Sequence, residues 1–489
     1  MNEATRGYGR YESWFRDRIQ SDTGPIETPQ NEDDVARILT DPVRFPSPVR
    51  PVGSRHSMTP CMSAAAPRAA SSPQRWGTIV DMTGLTRLRG SGGDSLRLIP
   101  DADGKRGTVT VPAGRTFISV ARELGAQGWV FRVNTELGPL TVGAAACGAT
   151  KDSSFPGESG QVCHDVIGMR VVKPNGERAD FKEGDRDFNA LRCSYGLFGI
   201  VTEVTFRVFP LEYISLRHEK IKPEDGKKFT SHELRKHIGQ WLGRDGNENA
   251  VFLYMFPYRD RIVAELRAKP ATEGEPDDNS LRLQIRNHFW DEGAHDWEEF
   301  ARSVPLSGLK HKLQDLFDKT LEQYFARVLR LARINPVAQI VDFDPTDPKH
   351  RFTFSMWAFP EDEFPEILPR YFELCEKHEA TYRSGLPHAS YHIGQDTSSL
   401  LSYSRKGPVW TLDPICPDNV EGWQPFLSEF NEFCSSRGGM PLLNQTPYLR
   451  REQVQRAFAD CLSDFEAARR RFDPDGRMLN AYFGELLRA

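Results

Sequence analysis

Two short loops in the first third of the chain are built almost entirely from glycine and small residues. One is Pro51-Val52-Gly53-Ser54-Arg55-His56-Ser57. The other runs from Thr141 through Val142, Gly143, Ala144, Ala145, Ala146, Cys147, Gly148, Ala149 and Thr150 to Lys151. A diphosphate is held by backbone N–H groups brought close together, and only side chains this small let the backbone approach it. Neither loop fits the G-x-G-x-x-G fingerprint between a strand and a long helix, nor the G-x-x-x-x-G-K-[ST] phosphate loop. The run Gly90-Ser91-Gly92-Gly93 lies between strand-like pieces with no helix behind it and reads as a surface turn. A Rossmann dehydrogenase is disfavoured on these grounds.

Groups for proton chemistry come later in the chain. Asp342 interrupts the apolar run QIVDF, and LPHASYHIGQD brings His388, Tyr391 and His392 together. An ionisable group inside an apolar strand costs free energy unless it is paired or used. Each of these residues therefore has a structural reading beside the catalytic one.

The elements around the two loops alternate. A short strand at Ile26 is followed by Asn31 as an N-cap, with Glu32, Asp33 and Asp34 in the first helical turn and Val35, Ile38 and Leu39 on one face. Val49 to Val52 and Thr78 to Asp81 read as strands, as does Thr108 to Val111, and Phe117 to Leu124 has helical spacing. Pro174-Asn175-Gly176 between two strand-like runs predicts a hairpin, and residues 199–209 predict the closing strand of a first lobe. After Pro210 the character changes. Residues 268–280 predict an exposed loop, and Leu309, Leu313, Leu316, Phe317, Leu321, Tyr324, Phe325 and Val328 predict one long helix whose apolar stripe packs into a core. Residues 352–359 and 409–415 read as strands, giving a second lobe of sheet backed by helices.

A chain of 489 residues is long enough for two such lobes. Its formal net charge of −5 offers no field for nucleic acid or an anionic membrane, so small-molecule chemistry is the default. The N-terminal residues show no secretory pattern and no apolar run reaches the length of a membrane span, which predicts a cytoplasmic protein. Eight cysteines without a CxxC pair argue against a zinc site and a disulfide framework.

Taken together, VRPVGSRHSMTPC (49–61), VTVPAGRTF (109–117), TVGAAACGATKDSSFPGE (141–158) and LRCSYGLFGIVTEVTFRV (191–208) resemble the FAD-binding domain of the vanillyl-alcohol oxidase superfamily, nearest its sugar-lactone and alditol oxidase branch. The resemblance implies an α+β fold. A PCMH-type FAD-binding domain would span residues 1–211, a substrate-binding cap with an antiparallel sheet backed by helices 212–437, and a segment returning to the FAD domain 438–489. It also implies that Gly53, Ser54, Arg55, His56 and Ser57 grip the diphosphate. His56 is then either bonded covalently to the flavin C8α or merely hydrogen-bonded nearby. Thr141, Ala144, Gly148, Ala149 and Thr150 match the second loop, with Glu136 upstream. Ile200 and Val201 match the strand that meets the adenine end, and Asn480 and Tyr482 match the closing segment. Lys151 stands where many relatives have histidine.

The match fails in the catalytic half. Sugar-oxidising relatives carry a His-Trp-x-Lys-like segment, and here Leu442 and Gln445 replace its histidine and lysine. Gln445 either meets the flavin pyrimidine edge or shapes a turn. Ala113 before Gly114 leans toward restricted access of oxygen. The resemblance implies hydride transfer from a C–OH group to flavin N5, with oxygen or another acceptor reoxidising the flavin. Two alternatives stand: oxidation of a C–N or C–C bond in a secondary-metabolism substrate, and flavin binding without turnover. Trp357, Tyr403 and Trp410 would suit a flatter substrate or serve as core. The number of subunits is left open.

Overall fold

The computed structural model describes residues 7–8, 24–67, 75–90, 93–243, 248–269, 273–304, 307–342, 352–417 and 421–487. Ser91, Gly92 and part of the alanine- and serine-rich run near residue 70 lie outside them.

Two sheets are built before residue 211. In the first, Thr78–Asp81 lies between Pro25–Glu27 and Val49–Val52, parallel to both. The helix Glu32–Thr40 follows its N-cap Asn31, whose side chain accepts from the Asp34 N–H at 2.9 Å. Its apolar face, Val35, Ile38 and Leu39, is buried. The second sheet is antiparallel and runs Arg97–Pro100, Gly107–Pro112, Ile200–Pro210, Val166–Val172, Arg178–Lys182. Pro174-Asn175-Gly176 makes the expected hairpin, with Gly176 at φ 84°. The glycine-rich second loop coils into the short helix Val142–Cys147.

The third sheet is antiparallel and eight-stranded. It runs Leu331–Ile334, Ile214–Ile221, Arg261–Ala268, Asn249–Phe256, His388–Ile393, Val409–Leu412, Trp357–Pro360, Met440–Pro441. Both faces of its central strands are buried, and side chains alternate between them with the strand's period of two. Val251, Leu253 and Met255 join Ile262, Ala264 and Leu266 in a core backed by the helices Ser231–Trp241, Phe364–His378 and Trp423–Ser435. Phe252, Tyr254 and Phe256 face the other way, into the core shared with the first lobe.

After Met440–Pro441, itself an edge strand of the third sheet, the chain returns to the first lobe. Phe465 and Phe472 pack edge-on against Phe198, Val49 N–H donates to Arg477 O at 2.8 Å, and Arg477 donates to Leu39 O and Ile38 O. Among the described residues no helix is long and apolar enough to cross a membrane.

Three details differ from the sequence reading. The QIVDF run is not a strand: Pro336–Gln339 is a short 3-10 helix and Val341 makes only a single bridge to Leu137. Residues 352–359 form two strands, Phe352–Phe354 and Trp357–Pro360, in different sheets. The predicted long helix is Ser307–Gln323 continued by a π-helical turn Tyr324–Val328, but Leu309, Leu316 and Val328 are exposed. The buried face is Gln314, Asp318, Leu321, Glu322 and Phe325, because Glu322 pairs with Arg259 at 2.8 Å and Arg383 lies by Asp318. The C-terminal half of the stripe reaches the core through Leu321 and Phe325, with Phe317 and Tyr324 packed against it, and shares the buried face with these ion pairs.

Candidate active site

A cavity of about 280 Å³ lies between the first lobe and the aromatic face of the third sheet. Both glycine-rich loops line it. The first leaves the strand Val49–Val52 and turns at Arg55, which adopts φ 67°. It meets the second loop at Gly53, where an added Cβ would fall 2.1 Å from Thr141 Oγ1. That approach requires glycine. Gly53, Ser54, Arg55, His56 and Ser57 all reach the cavity, as do Thr141, Ala144, Gly148, Thr150 and Lys151. Glu136 and Val201 line it too. Burial pushes the His56 imidazole down to about 3, so it is neutral at ordinary pH.

One residue ties these segments together that the sequence reading missed. Arg50, 1% exposed, donates to the backbone oxygens of Cys61, Tyr195, Gly196 and Met478. Its place on a strand gave no hint, because the acceptors come from three distant stretches of chain.

The cap-side wall carries the ionisable groups. Lys151 Nζ pairs with Asp413 Oδ2 at 2.7 Å and sits 3.8 Å from the centre of the Tyr391 ring. Tyr391 donates its hydroxyl to Glu136 Oε2 at 2.7 Å. Behind Glu136, Arg267 binds Asp152 at 2.8 Å and Glu265 at 2.9 Å. Asp413 is fixed by two backbone hydrogen bonds to Ala389, and burial raises its carboxyl above the usual range while Lys151 opposes the shift. Arg286, fully buried, enters from the helix Leu281–His288 and donates to Gln339 O at 2.8 Å. Gln445 lines the cavity, and beside it Asn444 turns its amide nitrogen toward Gly148 and has a buried side-chain oxygen without a hydrogen-bond partner.

Several expected residues lie elsewhere. In the strand His388–Ile393 only Ala389 and Tyr391 face the cavity, because Phe252 pairs with Tyr391 and Tyr254 with Ala389 on the aromatic face. His388 and His392 point to the helix side. His388 Nδ1 shares a hydrogen bond with the Tyr371 hydroxyl at 2.6 Å and burial pushes its imidazole down to about 3. His392 binds Glu361 Oε2 at 2.7 Å and tilts against Trp410. Asp342 is at the surface, paired with Arg122 at 2.6 Å, and is not in an apolar strand at all.

Ile200 is core beside Val172, and Ala149 is buried behind the second loop. Asn480 caps the helix Ala481–Leu486 and donates to the carbonyls of Pro60, Cys61 and Ser63, so it braces the segment after His56 without lining the cavity. Tyr482 donates to Leu443 O at 2.6 Å. Trp357 and Trp410 belong to the helix-side core, and Tyr403 is buried outside the cavity wall.

Asp413 was missed although it interrupts the apolar run 409–415, the same signal that singled out Asp342. Arg286 left none.

The cavity fits an FAD. Its glycine-loop half is lined by small residues, Gly53 packs too closely on Thr141 for a Cβ, and the Asn444 amide, with a buried oxygen left unbonded, lies on the same lining. Residues 26–182 match the FAD binding domain family, and residues 204–486 match the D-arabinono-1,4-lactone oxidase family. An L-gulono-1,4-lactone dehydrogenase of Mycobacterium tuberculosis is 22% identical over 467 residues, 94% of this chain and 95% of that one. A D-arabinono-1,4-lactone oxidase of Eremothecium gossypii is 28% identical over 198 residues, 40% of this chain and 34% of that one. The fold matches a cholesterol oxidase of Brevibacterium sterolicum with a TM-score of 0.73 at 15% identity, covering 99% of this chain and 97% of that one. A solvent-stable cholesterol oxidase matches with 0.74 at 16% identity, covering 98% of each. The chain is an FAD-dependent oxidoreductase and belongs to the D-arabinono-1,4-lactone oxidase family.

Proposed function

We propose that this chain oxidises a CH–OH group of a small cyclic molecule, with FAD tethered through His56 and Asp413 receiving the hydroxyl proton. The lactones in the relatives' names support a ring-bearing substrate. The observation that carries the reading is the buried Lys151–Asp413 pair on the wall of the same cavity as the glycine loops.

Gly53, Ser54, Arg55, Ser57, Thr141, Ala144, Gly148 and Thr150 hold the cofactor. Bound there, FAD supplies the hydride acceptor. A neutral imidazole is the form of His56 that can bond a carbon, and its burial keeps it so. His56, at the cavity lining, would be the residue to carry the tether were FAD bound there. Lys151 partly offsets the cost of burying the Asp413 carboxylate, and that carboxylate is placed to accept a proton as hydride leaves the carbon. Tyr391, oriented by Glu136, forms the adjoining wall. Gln445 faces the same space. Ala113 lines the cavity, and the small residue there is the feature that leans toward an acceptor other than oxygen. Eight buried thiols suit a reducing, cytoplasmic setting.

The test is acid precipitation of the purified protein followed by anaerobic titration with L-gulono-1,4-lactone and cyclic alcohols. A yellow pellet that His56→Ala abolishes supports the tether, and bleaching by an alcohol supports the oxidation. Flavin that His56→Ala leaves in the pellet refutes the tether. A protein that binds FAD and is bleached by none of them refutes the activity.

A further inference from the structure

Arg286 lies on the cavity wall with part of its guanidinium unused. On the helix Leu281–His288 it shares the buried face with Leu283 and is only 1% exposed. A cation buried this deeply is costly unless its N–H groups are bonded. One end is bonded: Nη1 donates to Gln339 O at 2.8 Å and to Asn287 Oδ1 at 3.0 Å. The opposite edge is not. Nη2 reaches Glu136 Oε1 only at 3.5 Å, and Nε has no hydrogen-bond partner. Nε–H and one Nη2–H point the same way along the side of the planar group, forming the fork that takes two oxygens of one planar group at once.

The charges nearby decide which oxygens suit this fork. Lys151 is paired with Asp413, Arg267 with Asp152 and Glu265, and Arg286 itself faces Glu136. Each cation already has a carboxylate, so a further free carboxylate would meet repulsion from Glu136. A neutral group with two coplanar oxygens on one carbon meets the fork without that cost. In a cyclic ester the ring holds the carbonyl oxygen and the ring oxygen with lone pairs on the same side, as a carboxylate does, whereas an open-chain ester turns them apart. From Arg286 the wall continues through Glu136 and the Tyr391 ring to Lys151 and Asp413. A small ring held by its ester edge at one end therefore presents its hydroxyls toward the other.

We propose that Arg286 is the specificity-determining residue of this site: its Nε–Nη2 edge receives the O–C=O edge of a cyclic ester and turns the ring so that a hydroxyl faces Asp413. This rests on the CH–OH oxidation proposed above and names the group by which that site selects its substrate.

The test uses the holoprotein under anaerobic conditions. L-Gulono-1,4-lactone and D-arabinono-1,4-lactone are each set against the matching 1,4-anhydro-alditol, in which a CH2 replaces the carbonyl. A carbonyl also activates the neighbouring C–H bond, so the readout is the change of the lactone preference on substitution. Arg286→Lys keeps the charge and a donor for Gln339 O but has no fork. It should lower the efficiency of flavin reduction by the lactones roughly 10–100-fold, the worth of hydrogen bonds to a charged group, and that by the anhydro-alditols less than roughly threefold. Equal losses for both, or a lysine variant with the wild-type preference, show that Arg286 only holds its helix and overturn the proposal. Arg286→Gln, also without the fork, gives the same comparison should the lysine variant lose FAD. A second readout does not depend on turnover. γ-Butyrolactone, which has no hydroxyl to oxidise, should perturb the flavin visible band saturably and bind roughly tenfold more weakly to the variants, whereas tetrahydrofuran should not distinguish them from wild type. If neither the lactones nor the anhydro-alditols reduce the flavin, the oxidation reading falls. The γ-butyrolactone titration then still decides Arg286: binding that the substitutions weaken upholds it, and binding they leave unchanged, or no binding, overturns it.

Discussion

Replacing Gly53 by alanine places a methyl group where the two cofactor loops touch. The added Cβ would lie 2.1 Å from Thr141 Oγ1, 3.0 Å from its Cγ2 and 3.1 Å from its Cβ. The first distance is far inside contact, so one loop must move. Overpacking of this kind costs about 1–3 kcal/mol, and because the displaced backbone is the cradle itself, FAD content should fall with stability. Thr141→Ala removes Oγ1 and Cγ2 and leaves only the 3.1 Å contact, which a shift of a few tenths of an ångström relieves. The double variant should therefore recover part of what Gly53→Ala loses, with a coupling of at least about 1 kcal/mol between neighbouring sites. The assays are FAD per chain from the visible spectrum and the urea midpoint of each of the four proteins. Strictly additive losses, or a Gly53→Ala protein with full FAD content and an unchanged midpoint, would show that the loops do not meet as described.

Asp413→Asn should keep FAD but lower the anaerobic flavin reduction rate by roughly 10²–10⁴-fold, the usual contribution of a positioned base. Because burial raises the Asp413 carboxyl, wild-type kcat/KM should fall as pH drops through a point above the ordinary carboxylate range, and the variant should lose that acid limb in a pH–rate profile. Asn480→Ala removes a helix N-cap worth about 1 kcal/mol and takes a donor from the Ser63 carbonyl, at about 1–3 kcal/mol if it stays buried and unbonded, while Cys61 O keeps Arg50 and Pro60 O keeps the Ser63 N–H. Thermal denaturation should show the loss, together with less tethered flavin. Tyr391→Phe should slow flavin reduction while His388→Gln changes it by less than roughly threefold, since only the tyrosine faces the cavity. Steady-state kinetics of the two variants would reverse this assignment if the histidine proved the more sensitive.

The cofactor half was legible because its chemistry is local. A diphosphate cradle needs consecutive small residues, and consecutive residues can be read directly, as Gly53 and the 141–151 run were. The N-cap at Asn31 and the hairpin at Pro174-Asn175-Gly176 are local in the same sense. Arg50 and Asn480 were not legible in their actual roles, since Arg50 binds carbonyls from three separate stretches and Asn480 reaches those of Pro60, Cys61 and Ser63 only when the C-terminal segment returns to the first lobe. The long helix shows the converse error. Its apolar stripe obeyed helical spacing, yet Leu309 and Leu316 face solvent because the buried side is shared with charged partners whose sequence positions are remote.

The substrate half failed for a reason specific to sheets with two buried faces. In such a strand the alternation of polar and apolar residues does not distinguish cavity from core, so His388-Ala389-Ser390-Tyr391-His392 could be read with either set of side chains pointing inward. The neighbouring strand resolves it. Asn249–Phe256 separates its residues into an aliphatic set, Val251, Leu253 and Met255, and an aromatic set, Phe252, Tyr254 and Phe256. Helices pack on the aliphatic face, and the aromatic face is left for the cavity. Once Phe252 is registered with Tyr391, the histidines must lie with the helices and Tyr391 with the cofactor. The same register puts Ala389 opposite Tyr254 and, through its bridge to Asp413, delivers a carboxylate to the cavity wall beside Lys151. An acid so placed suits the proton transfer proposed for this site, and it lies at the end of the neighbouring strand, hydrogen-bonded to Ala389 between the two histidines that drew attention to this part of the sequence.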